Sequence, residues 1–174
     1  DVYKRQIHLW AGTNRRFKNA LHNAFDAFAR AKVDGVILDL RGGLGGADPS
    51  YADPLFPDGK KPARLRVPVV VLVDEQTRSG KEWLAYELRA AKRAQIVGSS
   101  SAGALRLGKW FSLADKHYGL YVAVAKPEIK AAALEGVGIQ PDVAAKRPLI
   151  YAEGADPQLQ VALTTLDQTF AKSH

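Results

Sequence analysis

The 174-residue chain contains no cysteine and no methionine. The lack of cysteine excludes a disulfide framework, a thiolate nucleophile and a cysteine-based zinc site. No apolar run approaches the roughly 20 residues that a membrane-spanning helix needs, so we predict no membrane span within this sequence. What is present, 47% hydrophobic and 25% charged residues, is typical of a globular domain with a core of its own.

The lack of methionine predicts that the natural start of the protein lies outside this chain. The opening DVYKRQ, residues 1–6, is what a common transposon-end sequencing adapter encodes in one reading frame. We interpret this segment as a scar and leave it out of the fold prediction. Residues 7–174 are then expected to form a single domain whose N-terminal parts, including any signal peptide, are missing.

The net charge of +7 is not accompanied by any motif that binds nucleic acid. The basic residues are scattered along the chain, so solvated helix faces account for them better than a nucleic-acid partner does. The four histidines include no pair spaced three or four residues apart. The sequence therefore predicts no metal site.

Apolar patterns alternate between the periods of strands and helices. Short apolar runs predict strands at residues 7–10, 35–40, 67–74 and 94–98. Spacings of three and four predict helices that begin after Thr13 or Asn14 and that span residues 82–93 and 157–171. A hairpin is expected at residues 109–113 and 119–125, and the proline-rich residues 47–65 are predicted to form a loop. This order predicts an α/β fold.

Two turns that follow strands offer groups for chemistry. RGGLGG, residues 41–46, lacks the ending of a phosphate loop and the spacing of a dinucleotide site. Its glycines either bring backbone N–H groups close to a ligand or only form a tight turn. Ser79 and Gly80 follow the next strand, where a helix dipole and the Gly80 N–H favour a developing oxyanion. Taken alone, Ser79 is more simply explained as a helix N-cap.

The order of the motifs resembles that of the tail-specific, or carboxy-terminal processing, serine proteases. GVILDLRGGLGG resembles their VILDLRxNxGG, and VPVVVLVDEQTRSGKE resembles their nucleophile segment VLVNxxTASAxE. AQIVGSSSAGA and LEGVGIQPDV are similar to AxIVGExTxGx and EGxGIxPDI. The resemblance implies a crotonase- and Clp-protease-like core, so that residues 7–174 would form one peptidase catalytic-core domain.

This resemblance assigns roles to particular residues. Ser79 falls on the nucleophile, and the N–H of Gly80 falls on one oxyanion donor. Gly45 and Gly46 fall on the turn that supplies the other donor, and Glu135 matches a glutamate that orients the catalytic network in the tricorn branch. The implied reaction is endopeptidase cleavage of unfolded or extended polypeptides through an acyl-enzyme. It needs no cofactor, implies an extracytoplasmic location and leaves oligomerisation open.

The general base departs from the most common pattern. The family's dyad lysine follows the nucleophile by 25 positions, and the residue there is Ala104. The chain therefore resembles the branch of the tricorn core and interphotoreceptor retinoid-binding protein, in which an upstream histidine is the base. That histidine would lie before Ile7. Lys81 or Lys109 would replace it only if burial lowered its pKa from about 10.4, and we expect Lys81 to face water.

Two other functions stay open. Arg78 and Lys81 replace small residues beside the nucleophile and could crowd or charge the site. With Ala104, they favour as an alternative a catalytically inactive module that holds a peptide or an apolar ligand. A third interpretation is a crotonase-type enzyme for acyl thioesters, which uses the same kind of oxyanion hole.

Overall fold

The structure is a computed structural model that describes residues 3–58, 61–114, 116–147 and 154–173. In chain order its strands are β1 (Lys4–His8), β2 (Gly35–Asp39), β3 (Val69–Val73), β4 (Gln95–Gly98), β5 (Leu107–Ser112), β6 (Gly119–Ala125) and β7 (Val143–Ala144). Its helices are α1 (Arg15–Arg30), α2 (Gly80–Ala90) and α3 (Pro157–Ser173). Short 3-10 helices span Pro49–Leu55 and Lys130–Leu134.

The main sheet is parallel, with the spatial order β1-β2-β3-β4-β7. Strands β5 and β6 form a separate antiparallel hairpin. Every residue of β2 and β3 is buried, as expected of parallel strands that are covered on both faces. The α/β class predicted from the alternating patterns is therefore confirmed.

Alternate residues of the central strands enter two different core layers. Val36, Leu38 and Val71 pack in one layer with residues of α1 and α2. Ile37 and Leu72 pack in the other layer, which α3 covers. This alternation follows from the period of two along a strand, and it explains why a strand between two helical layers is apolar at every position.

Helix α1 begins as the sequence predicts. Asn14 has an extended backbone, and its side-chain oxygen accepts the N–H of Arg16 at 2.8 Å, as an N-cap does. Leu21 and Phe25 are buried on the inner side of this helix. None of the helices in the described ranges is both long and apolar enough to span a bilayer.

Strand β1 corrects the prediction for the beginning of the chain. The bounds expected for this strand, residues 7–10, are wrong: it begins three residues earlier and ends two residues earlier, and Lys4, Arg5 and Gln6 pair with Gly35–Ile37 of β2. Side chains at the edge of a sheet can stay polar while the backbone pairs, so the apolar pattern did not mark these residues. Residues 4–6 of the segment left out of the fold prediction therefore belong to the sheet, and the origin of that segment as a scar stays a prediction.

Other differences concern shorter elements. Strand β7 was not predicted, because its two residues, Val143 and Ala144, form no apolar run. Helix α2 begins at Gly80, two residues before the predicted start, and ends at Ala90 rather than at residue 93. Part of the predicted proline-rich loop is the 3-10 helix Pro49–Leu55. The hairpin and the last helix are confirmed at nearly the predicted positions.

Arg41 ties the last helix to the sheet. Its Nη2 lies 2.7 Å from Asp39 Oδ2 at the end of β2 and 2.8 Å from Asp156 Oδ2 just before α3. The hydrogen bond from Arg41 holds the pKa of Asp156 below its usual value. Asp156 also accepts the N–H of Leu159 at 2.9 Å in the first turn of α3. Arg41, the first residue of the glycine-rich turn, is thereby bonded both to the end of β2 and to the start of α3.

Candidate active site

Ser79 lies on a strained turn between β3 and α2. Its backbone angles are φ 59° and ψ −131°, a positive φ that is costly for a residue with a Cβ atom. Three loops converge here because β2, β3 and β4 are parallel and end at the same edge of the sheet. Ser79 is half-buried at this edge.

The glycine-rich turn lies directly against Ser79. A Cβ atom placed on Gly45 would be 2.7 Å from Ser79 Cβ, and one placed on Gly80 would be 1.6 Å from the carbonyl oxygen of Ala47. Only glycine permits these two approaches. Within the described part of the chain, the backbone N–H groups of Gly45, Gly46 and Gly80 donate to no acceptor. The predicted oxyanion residues are thus brought together with Ser79, and their role stays a prediction.

A buried aspartate holds the turn that precedes Ser79. Asp74 Oδ1 accepts the N–H groups of Gln76 at 3.0 Å and Thr77 at 2.9 Å. The same oxygen accepts the N–H of Gly42 at 3.0 Å, and Thr77 Oγ1 donates to the carbonyl of Leu40 at 3.0 Å. These bonds join the turn after β3 to the glycine-rich turn after β2.

Glu82 is bonded to several segments around Ser79, a role that the sequence motif alone does not predict. Its carboxylate is fully buried and accepts the N–H groups of Ser79 at 2.9 Å, Gly103 at 2.7 Å and Ala104 at 2.9 Å. It also accepts Ser101 Oγ at 2.5 Å. Four donors offset the cost of burying the charge. The S-x-x-E spacing at the start of a helix was the signal that could have revealed it.

Ala104 and Glu135 lie on the loop and the turn that face Ser79. The position of the dyad lysine carries only the methyl group of Ala104. Glu135 Oε2 accepts the N–H groups of Leu105 at 2.7 Å and Arg106 at 3.0 Å. Its Oε1 lies 3.4 Å from Arg106 Nε. Glu135 therefore orders the loop after β4, on the opposite side of a cleft from Ser79.

Two cavities meet at Ser79 and Gly46. The larger has a volume of about 590 Å³, and the smaller has about 210 Å³. The larger cavity joins the predicted site residues to the hairpin, and it is lined by Thr13, Leu44, Gly45, Gly46, Arg78, Ser79, Ala104, Arg106, Gly108, Trp110, Tyr121, Ala123 and Glu135. The smaller cavity is mostly apolar and includes Gly80, Trp83 and Leu107.

The structure corrects the prediction for Lys81. Its side chain does not face water but is fully buried, and its Nζ donates to the carbonyl oxygens of Gly42 and, at 3.5 Å, Leu9. Burial lowers the pKa of Lys81 to about 8, although Asp74 raises it. Lys81 lines neither cavity at Ser79. Its hydrogen bond to Gly42 stabilises the glycine-rich turn. Because it lies outside both cavities, Lys81 is not placed to act as a base for Ser79.

Lys109 is not placed to act as a base either. It is exposed on the hairpin, and its Nζ lies 5.6 Å from the ring centroid of Phe111. It lines neither of the cavities at Ser79. Arg78, in contrast, is exposed and lines the larger cavity, as expected for a residue that charges the site.

Comparison with known proteins agrees with this geometry. The sequence profile of Peptidase family S41 matches residues 52–145. The carboxyl-terminal-processing protease of Synechocystis sp. is 32% identical over 197 aligned residues, which cover 99% of this chain and 45% of that protein. Carboxyl-terminal-processing peptidase 2, chloroplastic, of Arabidopsis thaliana is 28% identical over 74% of this chain and 29% of its own length.

Solved structures have the same fold. The photosystem II D1 C-terminal processing protease has a TM-score of 0.66 and 25% identity, covering 94% of this chain and 46% of that one. Tricorn protease has a TM-score of 0.77 over 97% of this chain and 18% of its own. Its 16% identity supports the fold alone. This chain spans less than half the length of the curated relatives it matches. Because the family profile covers more than half of it, the chain belongs to Peptidase family S41, the carboxyl-terminal-processing serine peptidases.

Proposed function

We propose that this chain is part of a serine endopeptidase that cleaves unfolded or extended polypeptides through an acyl-enzyme on Ser79. The observation that carries the proposal is the position of Ser79 on a strained turn where two cavities meet. A Cβ atom placed on Gly45 would be 2.7 Å from Ser79 Cβ, and within the described ranges the N–H of Gly45 donates to no acceptor. A strained backbone at a nucleophile is a recurrent feature of pre-organised sites.

The proposed reaction begins with attack of Ser79 Oγ on the carbonyl carbon of the scissile bond. A general base takes the hydroxyl proton, and the N–H groups of Gly80 and of Gly45 or Gly46 stabilise the negative charge on the carbonyl oxygen. Collapse of this intermediate releases the amine, which takes up the proton. Water then hydrolyses the ester and restores Ser79.

The base is proposed to come from a histidine that precedes Ile7 in the full-length protein, with Glu135 orienting the network. No lysine or histidine lines either cavity at Ser79 in the described part of the chain. Glu135 lies in the same cleft as Ser79 but already accepts two backbone N–H groups and forms an ion pair with Arg106, which suits a positioning role better than proton transfer. We also propose an extracytoplasmic location, in keeping with the chloroplastic Arabidopsis relative.

A fluorophosphonate probe tests the nucleophile in the full-length protein. We expect covalent labelling that is lost in Ser79→Ala. Ser100→Ala is the matched control, because Ser100 Oγ bonds Gln140 Oε1 at 2.7 Å and does not line either cavity at Ser79. Absence of labelling, or labelling that persists in Ser79→Ala, would refute the proposal.

A binding module is the second candidate, and Ala104 in place of a lysine favours it. In that case the cleft would hold a peptide or an apolar ligand with no turnover. Saturable binding that survives Ser79→Ala, together with unreactive Ser79, would support this candidate. Peptide hydrolysis that Ser79→Ala abolishes would exclude it.

A further inference from the structure

We infer that the cleft beside Ser79 selects polypeptides that carry a carboxylate close to the bond presented to Ser79, and that Arg78 binds this carboxylate. The inference rests on the proposed function, because it names the substrate class of the same cleft. It concerns a residue at which this chain differs from the family motif, where a small residue precedes the nucleophile.

Arg78 is held in place but keeps donors for a ligand. It directly precedes Ser79, is exposed and lines the larger cavity. Its Nε donates to the carbonyl oxygen of Gln76 at 3.3 Å, which fixes the direction of the side chain. Among the described residues, Arg78 forms no ion pair with an aspartate or a glutamate. Its two terminal amino groups therefore remain available to a ligand.

The charged residues that line the larger cavity have a net positive charge, because Glu135 and Arg106 offset each other and Arg78 remains. Among the described residues, Glu135 is the one acidic residue that lines the larger cavity, and its Oε1 lies 3.4 Å from Arg106 Nε. Among the described residues the charge of Arg78 has no acidic partner. Burial is the main cause that lowers the pKa of Lys81 beneath the turn, and the charge of Arg78 lowers it further. A substrate that brings its own negative charge would balance this excess.

The chemistry of the guanidinium specifies a carboxylate. Arginine presents a planar set of donors that matches the two oxygens of a carboxylate, and such charge-assisted pairs are about twice as strong as neutral ones. In a polypeptide this group is either an acidic side chain or the free C-terminus. Trp110 and Tyr121 line the same cavity with exposed rings whose centroids lie 5.4 Å apart. These rings can hold the apolar residues next to the carboxylate.

The test uses four N-acetylated heptapeptides of alanine and valine and isothermal titration to the Ser79→Ala variant of the chain. The peptides carry either glutamate or glutamine at the central position, and each is made with a free or an amidated C-terminus. We expect at least one carboxylate peptide to bind roughly tenfold tighter than the neutral peptide. The glutamate pair and the free-acid pair show which carboxylate source the cleft uses.

Adding Arg78→Ala should remove the preference, so that the carboxylate peptides and the neutral peptide bind this variant with equal affinity. Arg78→Lys, which keeps the charge and loses the planar fork, should retain part of the preference and serves if the alanine variant does not fold. Arg66→Ala is the matched control, because Arg66 is also exposed, donates to the carbonyl of its own turn at 3.4 Å and lies away from Ser79. It should keep the full preference.

The inference fails if all four peptides bind equally, if none binds saturably, or if the preference survives Arg78→Ala. These outcomes are separate from those of the proposed function. A carboxylate preference in a protein whose Ser79 is never labelled would refute the peptidase proposal and support the carboxylate site. Labelling of Ser79 without a carboxylate preference would support the peptidase proposal and refute the carboxylate site.

Discussion

The start of α2 and the β5–β6 hairpin border the same cleft, but they are built in opposite ways. At the start of α2, Lys81 and Glu82 are both fully buried, and each is bonded to the turns that surround Ser79. In the hairpin, Trp110 is 68% exposed and Tyr121 is 59% exposed. One side of the cleft is thus fixed by buried polar bonds, and the other presents exposed aromatic rings to a ligand.

The largest expected effect follows from Glu82→Gln. The glutamine keeps the shape but replaces one acceptor oxygen by an NH₂ group, which would face N–H donors such as those of Gly103 and Ala104. Breaking a buried charged network of this kind costs about 3–5 kcal/mol. We expect a loss of that size in the free energy of unfolding by urea, and slower probe labelling of Ser79 in the full-length protein.

The control for this change is Glu87→Gln on the same helix. Glu87 accepts a single hydrogen bond, from Trp83 Nε1 at 3.1 Å, so we expect it to cost less than about 1 kcal/mol. If Glu82→Gln cost no more than Glu87→Gln, the buried polar bonds of Glu82 would not be what fixes this side of the cleft.

The next effect concerns the pH dependence of stability through Lys81. Below pH 8 both the folded and the unfolded states bind the proton of Lys81, and the cost of burying the charge is fully present. Between pH 8 and 10.5, the folded and ordinary pKa values of this amine, the unfolded state binds more protons. Stability therefore rises with pH over this range, by roughly 3 kcal/mol from this group.

Urea unfolding of the parent chain and of Lys81→Met across this range measures the contribution. We expect the difference in unfolding free energy between the two proteins to change with pH, because methionine cannot titrate. Lys109→Met, at an exposed position, should follow the parent at every pH. A difference between the parent and Lys81→Met that stays constant from pH 8 to 10.5 would contradict the pKa shift of Lys81.

The smallest effect on stability is expected for Trp110→Ala. The side chain is 68% exposed, so its removal should change the unfolding free energy by less than about 1 kcal/mol. Affinity for the tightest heptapeptide should nevertheless fall by roughly five- to thirtyfold, because exposed aromatic rings often dominate binding.

Phe111→Ala provides the comparison within the same strand. Neighbouring residues of a strand point to opposite faces, and Phe111, unlike Trp110, does not line the larger cavity. We expect peptide affinity to be unchanged in this variant. Equal losses in both variants would show that the hairpin acts through its overall structure and not through its cleft-facing side.

The sequence predicted those parts of the fold that depend on local patterns. The apolar runs located β2 and β3, and Asn14 marked the start of α1. The order of four motifs brought Ser79, Gly45 and Glu135 to one cleft, although no single motif distinguished a nucleophile from an ordinary cap. Parallel strands deliver their following loops to one edge, so the order of motifs along the chain carried spatial information.

Contacts between distant segments could not be predicted in the same way. Lys81 at the start of a helix resembles any solvated lysine, and only the approach of Gly42 and Leu9 buries it. The partners of Glu82 come from a loop about 20 residues away in sequence. β1 begins with the polar residues Lys4, Arg5 and Gln6, whose backbones pair with β2 although they form no apolar run.

Because Gly80 lies so close to Ala47, positions 78 and 80 of this turn differ in how well they tolerate substitution. A side chain at position 80 would meet a carbonyl oxygen 1.6 Å from its first carbon, so no other amino acid fits there while the turn keeps its shape. Two residues earlier, Arg78 is exposed and lines the larger cavity, so side chains of other sizes can be accommodated at that position. Substitutions at position 78 can therefore change the preference for a substrate, while the backbone at Gly80 keeps its conformation.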